Sequence, residues 1–444
     1  NAGPSVENCV FRSCSSRYGG AIYVGANGST RILSCSFLEN SSGDGGAVCG
    51  DFGHIKTQIR DCVLADNTGR SYGGGALTFF EGISEIENCR FIDNSSWEGG
   101  ALWSDGTQVL AKNCFFHGNH ASWRGGGIYF TGGTMTVSDC WFEENRVTLL
   151  EGAGGAILSA QMFSEMRVLN STFVRNSAGT GGAIVGGLSA ATGCAFLQNS
   201  ANWAGAMYFT SGSSEACPML DSCIFDGNSA DSTGGALMSF VPTICRELTK
   251  FLSCTFVRNS APEGSLLVMK GFPGDKMFPD FENCLIADNS GGPLVRDRDT
   301  TWLTATLHCC NIYGNTGGDW ISYIASQADS NGNFLADPLF CDTTSGDFHL
   351  QGNSPCAPGN NSCGVLIGAL PVACSWGCGD IDGSGSVNVT DAVRLVYYFF
   401  AYGPEPLDLY GGDINQDGHL NVADVVYLIN YIFVGGPAPC AAGE

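Results

Sequence analysis

Two acidic loops near the end of the sequence have the residue types and the spacing that bind a calcium ion. In the second loop, positions 1, 3, 5, 9 and 12 are Asp413, Asn415, Asp417, Asn421 and Asp424. Gly418 stands at position 6, where such a loop turns sharply, and His419 at position 7 offers its backbone carbonyl. Ca²⁺ takes several oxygen ligands in a flexible geometry, and this spacing supplies them. The second loop therefore predicts a Ca²⁺ site.

The first loop begins 33 residues earlier and is less complete. Its positions 1, 3, 5, 7, 9 and 12 are Asp380, Asp382, Ser384, Ser386, Asn388 and Asp391. Because Ser384 stands where the second loop has a carboxylate, we expect a lower affinity there. An amphipathic helix follows each loop, so the sequence predicts two loop–helix units and two Ca²⁺ sites, the second more complete than the first.

Asp at position 12 departs from the EF-hand loop and matches dockerin modules. Residues 378–440 resemble a type I dockerin, with paired loops and helices. The resemblance implies docking onto a cohesin-like or other β-sandwich partner. Residues 375–444 carry nine acidic side chains and one basic side chain, a charge that bound Ca²⁺ would partly neutralise.

Exposed aromatic residues form a second candidate site. Tyr72, Trp97 and Trp123 each precede a Gly-Gly corner in successive repeats, and Trp203 is nearly in register with them. Stacked aromatic side chains at a turn can bind a glycan ring or a neighbouring molecule. The alternative is a hydrophobic clamp on the chain's own turn.

These residues are positioned by a repeat that fills most of the chain. The run "IENCRFIDNSSWEGGAL" (residues 86–102) has a Cys, a large apolar residue two further on, an Asn three after that, and then Gly-Gly-Ala-Leu. Twelve variants follow at intervals of 23 to 31 residues, and the apolar position is usually Phe. The Cys positions are Cys9, Cys35, Cys62, Cys89, Cys114, Cys140, Cys194, Cys223, Cys254, Cys284 and Cys310, with Ser171 as a substitute. The Asn positions are Asn40, Asn67, Asn94, Asn119, Asn145, Asn176, Asn199, Asn228, Asn259, Asn289 and Asn315, with Cys14 in the first copy.

The repeat predicts an all-β fold, a parallel β-helix of about 12 coils with three short strands each. Helical repeats are disfavoured by the doubled glycines, and the units are too short for propeller blades. Stacking the coils would place like residues above one another, with Phe in the core and Asn side chains bonded to their neighbours. Asn also tolerates a left-handed turn, and Gly-Gly allows a tight corner.

The half-motifs also resemble a known family. "FLEN…GGAV" and "FIDN…GGAL" look like the FxxN and GGA[ILV] repeats of polymorphic outer-membrane proteins and related bacterial right-handed β-helix proteins, over residues 5–325. The resemblance implies the fold, and it leaves the function open because that family includes adhesins and proteins of no known activity.

Domain limits follow from where the repeat decays. We predict β-helix repeats over 1–330, a C-terminal cap over 331–374 and a dockerin-like domain with two helices over 375–444. Long connections at 147–152, 211–218, 241–249 and 271–279 are candidates for a binding face or for tolerated loop drift. No comparable cap precedes the first coil, which suggests either a removed segment or another copy covering that edge.

Cysteine usage and charge indicate the compartment. The repeated cysteines are expected to be buried thiols, with disulfides between coils as the alternative. Disulfide candidates outside the repeat are Cys217, Cys245, Cys341, Cys356, Cys363, Cys374, Cys378 and Cys440, which predict a secreted, extracellular or cell-surface protein. A net charge of −23 argues against nucleic-acid and anionic-membrane partners, and no apolar run is long enough to span a membrane.

The leading hypothesis is a secreted, non-catalytic bacterial surface protein, a rigid spacer with a Ca²⁺-dependent connector. The sequence lacks adjacent Asp-Asp, Gly-His-Gly, Arg-Ile-Lys and Asn-Thr-Asp, motifs expected of polysaccharide lyases or hydrolases. A sharper version has copies joined head to tail into filaments. The alternative is a dockerin-borne carbohydrate-active enzyme or glycan-binding β-helix protein.

Overall fold

The computed structural model of the chain describes most residues of a long parallel β-solenoid. The described residues are 4–25, 28–51, 55–70, 73–160, 164–210, 218–240, 249–270, 276–297, 302–344, 346–373, 378–382, 386–401, 403, 412–417 and 419–440. Most of the predicted long connections at 211–218, 241–249 and 271–279 lie outside these residues.

The twelve strands that carry the repeated apolar residue, which is Phe in nine of them, form one parallel sheet, here called the Phe sheet. Its strands are Val10–Arg12, Ser36–Leu38, Val63–Ala65, Arg90–Ile92, Phe115–His117, Trp141–Glu143, Thr172–Val174, Ala195–Leu197, Ile224–Asp226, Thr255–Val257, Leu285–Ala287 and Asn311–Tyr313. Eleven strands that follow the repeated Asn form the Ser sheet. These are Ser15–Tyr18, Ser41–Asp44, Thr68–Gly69, Ser95–Glu98, His120–Arg124, Arg146–Val147, Ser177–Thr180, Ser200–Trp203, Ser229–Thr233, Ser260–Ala261 and Ser290–Gly291.

The remaining strands form one 22-stranded sheet, the bent sheet, in which each coil contributes to two rows. The row after the Gly-Gly corner is Ile22–Val24, Val48–Gly50, Leu77–Phe80, Leu102–Asp105, Ile128–Thr131, Ile157–Ser159, Met207–Thr210, Leu237–Phe240, Leu267–Lys270 and Val295–Asp297. The row before the Cys is Ser5–Glu7, Ser29–Leu33, Lys56–Arg60, Ile83–Glu87, Gln108–Lys112, Gly133–Ser138, Ser164–Leu169, Met219–Asp221, Thr249–Leu252, Pro279–Glu282 and Thr306–His308. Ile184–Thr192 is one strand that pairs in both rows. A typical coil thus has four strands rather than the predicted three, because left-handed glycines such as Gly106 divide the third side.

The repeated apolar residues form one continuous column, as predicted. Phe91, Phe116 and Phe142 pair in register on neighbouring strands, and their rings stack with centroids 4.6 and 4.5 Å apart. All three are fully buried. The predicted solenoid is therefore confirmed at its core.

The repeated asparagines form a continuous hydrogen-bonded ladder, also as predicted. Asn94 donates from its backbone N and its Nδ2 to Oδ1 of Asn119, at 3.1 and 2.9 Å. Its Nδ2 also donates to the backbone O of Leu64 at 2.9 Å. Each of these bonds crosses from one coil to another, so an asparagine within the ladder such as Asn94 links three coils.

The two ends of the ladder are closed by other residues. Cys14 donates from its backbone N to Asn40 Oδ1 at 2.9 Å. At the other end, Asp319 Oδ1 accepts from the backbone N and Nδ2 of Asn315, at 2.9 and 2.8 Å. Asp319 lies outside the repeated positions, and the sequence analysis did not predict that it would close the ladder.

The repeated asparagines do not adopt the left-handed turn that this residue type tolerates. None of them, all of which are described, has a positive φ. The preceding residue does, for example Asp93 (φ 50°) before Asn94 and Gly118 (φ 63°) before Asn119. The turn therefore falls on a solvent-facing residue, which leaves the Asn side chain pointing inward to bond its neighbours.

The Gly-Gly corner packs backbone against backbone. A Cβ atom on Gly100 would lie 1.9 Å from the carbonyl O of Gly126 and 2.6 Å from the backbone N of His120. Gly99 before it has φ 64°. No side chain fits at Gly100, in agreement with the tight corner and close backbone approach expected from the sequence.

The repeated cysteines are thiols rather than disulfides. Cys114 is representative, since its Sγ donates to the backbone O of Lys112 and Ile86 at 3.2 and 3.6 Å. Burial raises its pKa well above the ordinary value, which keeps the thiol protonated. Ser171 replaces a cysteine without breaking the row, because its Oγ accepts from Cys140 N at 3.1 Å.

Disulfides lie outside the row. Cys378 and Cys440 are bonded, as predicted, with Cα atoms 5.7 Å apart. Cys341 and Cys363 are also in disulfides, and so is Cys309, which the sequence analysis did not single out. Cys217, Cys245 and Cys374 lie outside the described residues.

The chain divides into two compact units, Asn1–Asp337 with Val365–Ala369, and Pro338–Gly364 with Leu370–Glu444. The first unit also has a parallel pair, Lys276–Met277 with Trp302–Leu303, and a 3-10 helix, Ser322–Gln327. The second unit has an antiparallel pair, Phe340–Asp342 with Asp347–Leu350, and two helices, α1 (Val389–Ala401) and α2 (Val422–Val434).

Candidate functional sites

The first acidic loop brings three carboxylates together. Oxygen atoms of Asp380, Asp382 and Asp391 all lie within 4.8 Å of one another. Asp391 is fully buried at the start of α1, where its Oδ1 accepts from Asp382 N at 2.9 Å and its Oδ2 from Asn388 N at 2.8 Å. Asn388 Oδ1 accepts from Thr390 N at 2.9 Å, so the loop and the helix start form one hydrogen-bonded unit.

The second loop repeats this geometry around Asp424. Asp424 is fully buried, and its Oδ1 accepts from Ile414 N at 2.9 Å and from Asn415 N at 3.2 Å. Its Oδ2 accepts from Asn421 N at 2.8 Å, and Asn421 caps α2 by accepting from Ala423 N at 2.8 Å. The position-12 aspartate thus ties each loop to its helix.

The other predicted ligands of the second loop curl around one another. Asp417 N donates to Asp413 Oδ1 at 3.1 Å and to Asn415 Oδ1 at 2.9 Å, and His419 N donates to Asp417 Oδ1 at 2.9 Å. The Asn415 side chain, which donates to Asp417 at 3.1 Å, lowers the pKa of that carboxyl. These bonds join Asp413, Asn415, Asp417 and His419 into one hydrogen-bonded loop.

The donor set of both loops fits Ca²⁺, which prefers carboxylate, carboxamide and carbonyl oxygens. Three carboxylates within 4.8 Å repel one another unless a cation lies between them. Among the described residues, this closest acidic cluster is in the first loop rather than the second. Ser386 is exposed, and Ser384 lies outside the described residues, so the predicted order of affinities stays a prediction.

The two loop–helix units pack on each other through a small core. Its fully or largely buried members include Ile381 with Ile414 and Leu395 with Leu428, which occupy equivalent places 33 residues apart. The bond between Cys378 and Cys440 joins the ends of the pair. The duplication in the sequence is therefore a duplication in space.

Both helices leave apolar side chains outside this core. In α1, Val393 is 60% exposed and Phe400 is 64% exposed. Their equivalents in α2, Val426 and Phe433, are 62% and 65% exposed. Val389 and Val422 are also exposed at equivalent places, so the helices present matching apolar rows.

The predicted aromatic corner is partly assembled on the Ser sheet. Trp97 is 41% exposed, and its ring meets that of Trp123 edge-on, with centroids 6.3 Å apart. Trp203 is 43% exposed but belongs to a different row, since it pairs with Thr180 rather than lining up with the other indoles. Tyr72 lies outside the described residues.

An ion pair beneath the indoles was not predicted. Glu98 is 5% exposed and lies 3.3 Å from the guanidinium of Arg124. That guanidinium stacks 4.1 Å from the ring centroid of Trp123 and lies 3.4 Å from Tyr129 Oη. Burial raises the pKa of Glu98 although Arg124 acts to lower it. The register shift between Ser96 and Glu98 that builds this contact matches a difference in spacing, since the repeated Asn and the first corner glycine are five residues apart in one coil (Asn94, Gly99) and six apart in the next (Asn119, Gly125).

The loop at residues 147–152 lies beside the indoles, and the sequence analysis identified it only as a long connection between strands. Leu149 is 46% exposed and Leu150 is 88% exposed. Together with Trp97, Trp123 and neighbouring residues, they line a cleft of about 540 Å³. Two adjacent leucines in an insertion were the available signal.

Comparisons with known proteins agree with this architecture. Residues 1–215 match the model of the right handed beta helix region, and residues 222–239 match the Chlamydia polymorphic membrane protein repeat. Residues 378–433 match the Dockerin type I domain. The C-terminal loops and helices resemble a type I dockerin. Both resemblances drawn from the sequence are thus confirmed, and the dockerin-like match implies calcium binding and a cohesin as the kind of partner.

A curated protein is similar to part of this chain. The "Metabotropic glutamate receptor-like protein P" of Dictyostelium discoideum is 37% identical over 219 residues, which is 46% of this chain and 14% of that protein. The chain therefore spans only a small part of that relative. No solved structure matches the chain. Neither helix in the described part of the chain has the length and apolar character needed to cross a membrane.

Proposed function

We propose that this chain is a secreted, non-catalytic surface or assembly protein, in which a rigid β-helix carries a Ca²⁺-dependent connector. The observation that carries the proposal is the matching pair of exposed apolar rows on α1 and α2. Val393 and Val426 are the central pair, and Phe400 and Phe433 lie about two turns further on. Large apolar side chains in two matching rows indicate a protein interface, because isolated exposed residues would not repeat at equivalent positions.

Calcium dependence follows from how the rows are positioned. Asp391 and Asp424 each bond both to their loop backbone and to the start of their helix. A cation that gathers the loop oxygens therefore also fixes the direction of the helix. The partner we propose is a cohesin-like β-sandwich, in agreement with the dockerin match.

The test is capture of the full chain on immobilised type I cohesins, measured by surface plasmon resonance in Ca²⁺ and in chelator. We expect binding in Ca²⁺ only. A double variant, Val393→Asp with Val426→Asp, should weaken it by about 100-fold or more. Ile55→Asp is the matched control, since Ile55 is 57% exposed on the solenoid, and it should bind like the original chain. Binding that survives chelation, or a double variant that binds normally, refutes the proposal.

A secreted or surface location is supported by the disulfides and by the polymorphic membrane protein repeat. Head-to-tail association of copies into filaments stays a prediction from the sequence. Electron micrographs of the purified protein in Ca²⁺ and in chelator test it, and monomers under both conditions would contradict it.

The alternative function is a carbohydrate-active or glycan-binding protein delivered by its dockerin-like unit. Parallel β-helices include enzymes, and the aromatic cleft on the Ser sheet is the observation that favours sugar binding. An assay for unsaturated and reducing-end products on neutral and acidic polysaccharides separates catalysis from binding.

A further inference from the structure

The outer surface of the Ser sheet carries two adjoining clefts separated by one loop. The first cleft, of about 540 Å³, is lined by Trp97, Trp123, Thr148, Leu149, Leu150 and Glu151. The second, of about 310 Å³, shares Thr148, Leu149 and Leu150 and is otherwise lined mostly by small and polar residues, among them Ser177, Ser200, Asn202 and Asp231. One side of the loop is therefore aromatic, and the other side offers hydroxyl, carboxamide and carboxylate groups.

The loop is fixed to the coil below it. Backbone N atoms of Thr148 and Leu149 donate to the carbonyls of Ala121 and Ser122, at 3.2 and 3.0 Å, and Gly152 N donates to Leu149 O at 2.8 Å. On the other side, a Cβ on Gly179 would lie 1.9 Å from Leu150 O, so the next coil packs directly against the loop. The two leucines are thus held out toward solvent by a firmly bonded backbone, and the clefts are preformed.

The indole of Trp123 is also held in place. Arg124 stacks on its ring at 4.1 Å, while the Arg124 guanidinium is itself anchored 3.3 Å from the buried carboxylate of Glu98. Trp97 approaches from the neighbouring coil with its ring at 66° to that of Trp123 and 41% of its surface exposed. An aromatic surface with a fixed orientation binds a flat apolar face without a further loss of side-chain freedom.

We propose that the two clefts form one binding site for a neutral oligosaccharide lying along the solenoid axis. A pyranose ring has an apolar face that suits the indoles and hydroxyl groups that suit Ser177, Ser200 and Asn202 across the loop. Among the described residues that line the clefts there is no lysine or arginine, while Glu151 and Asp231 are acidic. Uronates and sulfated sugars would be repelled, and the neutral class remains. This binding goes beyond the connector function proposed above, which depends on the other unit.

A protein partner is the competing occupant, because exposed leucines and tryptophans also occur at protein interfaces. The polar second cleft favours the sugar, since hydroxyl, carboxamide and carboxylate side chains there surround a site reached from the same loop. A protein-binding patch would be expected to be apolar at its centre and polar at its rim.

The test uses the full chain in Ca²⁺ and titrates neutral gluco-, manno-, xylo- and chito-oligosaccharides against uronate and sulfated oligomers by calorimetry. We expect binding of at least one neutral series and no binding of the anionic ones. Trp97→Ala should weaken that binding by about tenfold or more, and Asn202→Ala by a smaller factor. Tyr323→Ala, an equally exposed aromatic residue (44%) on the 3-10 helix, is the matched control and should leave binding unchanged.

Arg124→Lys separates positioning from contact. It keeps the charge beside Glu98 but loses the planar stack on Trp123, so we expect weaker sugar binding and a changed tryptophan emission spectrum, with an unchanged melting temperature. The proposal is overturned if the chain binds none of the neutral oligosaccharides, or if Trp97→Ala leaves their binding intact. It is also overturned if the change in Trp97→Ala is loss of capture of a protein instead of loss of sugar binding. The Val393→Asp, Val426→Asp chain should bind the sugar normally, so failure of one proposal is distinguishable from failure of the other.

Discussion

Replacing one asparagine in the middle of the ladder tests the physical basis of the solenoid. Asn119→Ala removes two bonds that its Oδ1 accepts from Asn94, at 3.1 and 2.9 Å, and two that its Nδ2 donates, at 2.9 Å each, to Phe91 O and Asn145 Oδ1. The residue is fully buried, so water cannot replace these bonds. At about 1 kcal/mol for each bond, the free energy of unfolding should fall by about 4 kcal/mol.

The loss should also be local. The backbone N of Asn94 donates to Asn119 Oδ1 at 3.1 Å, and the alanine variant lacks this acceptor, so the exchange of that amide with solvent should accelerate strongly. Denaturant unfolding followed by circular dichroism gives the global value, and hydrogen–deuterium exchange resolves the coil that contains Asn94. Because coils interact mainly with their neighbours, distant coils should keep their protection.

Gln108→Ala is the matched control, since it deletes an exposed carboxamide from the strand that leads to Asn119. It should change stability by less than about 0.5 kcal/mol. Asn119→Asp is a second probe, because it keeps the acceptor and loses both donated bonds while introducing a buried carboxylate, so its defect should shrink as the pH is lowered. An Asn119→Ala chain as stable as Gln108→Ala, with unchanged exchange at Asn94, would refute the ladder as a source of stability.

Three further predictions concern the corner, the metal and a surface ion pair. Gly100→Ala should prevent normal folding of its coil, because the new Cβ would lie 1.9 Å from Gly126 O. In the control Gly25→Ala, the new Cβ would meet only a ring carbon of Tyr23 at 3.8 Å, and the change should be tolerated. Thermal melting curves of the two variants test this difference. Chelating Ca²⁺ should lower the helical signal at 222 nm and leave the β signal of the solenoid in place, and a loss of both would contradict the assignment of calcium to the C-terminal unit. His117 lies 3.4 Å from Glu143, which raises the pKa of His117, while His117 lowers that of Glu143. The pair therefore stabilises the fold between these two pKa values, by less than about 1 kcal/mol because both groups are partly exposed. This contribution is lost as the pH rises through the raised pKa of His117, and also as it falls through the lowered pKa of Glu143. His117→Ala should remove the stability change that sets in as the pH rises above about 6.5, the ordinary pKa of histidine, and an unaltered pH profile would show that the pair is not coupled to folding.

The repeat allowed the fold to be predicted because an identical side chain in every coil has only one arrangement that buries it repeatedly. Phe116 and Asn119 could be assigned to stacked rows from spacing alone, and both assignments are confirmed. The position of the left-handed turn could not be assigned from the sequence, because Asp and Asn both tolerate that conformation. Asp93 adopts it, and Asn94 does not, because the Asn94 side chain points inward and bonds to its neighbours. Asp319 was equally hidden, since it closes the ladder from outside any repeat.

The calcium loops were predictable for a different reason, namely that metal ligands must recur at fixed positions along the chain. The aromatic site was predictable only in part. Trp97 and Trp123 were assigned to one corner, but a register shift places Arg124 opposite Glu98 and moves the row of Trp203 away from the indoles. The extra residue between Asn119 and Gly125 is visible in the sequence, but which residue of the strand takes up the shift depends on how the two strands pair.

The same regularity that makes the fold predictable indicates where function can lie. An inward residue such as Asn119 is fixed by the coils on both sides, so a substitution there destabilises the fold whatever the protein binds. Outward residues carry no such constraint, and a departure from the repeat on that side has to be explained by something outside the fold. Leu149 and Leu150 are such a departure, because a firmly bonded loop holds them in solvent beside two indoles where most coils have a short turn. The exposed rows of α1 and α2 are the other, since two helices that pack well through Leu395 and Leu428 have no internal need for matching apolar side chains on their outer faces. These two surfaces are therefore the ones on which the contacts proposed above depend.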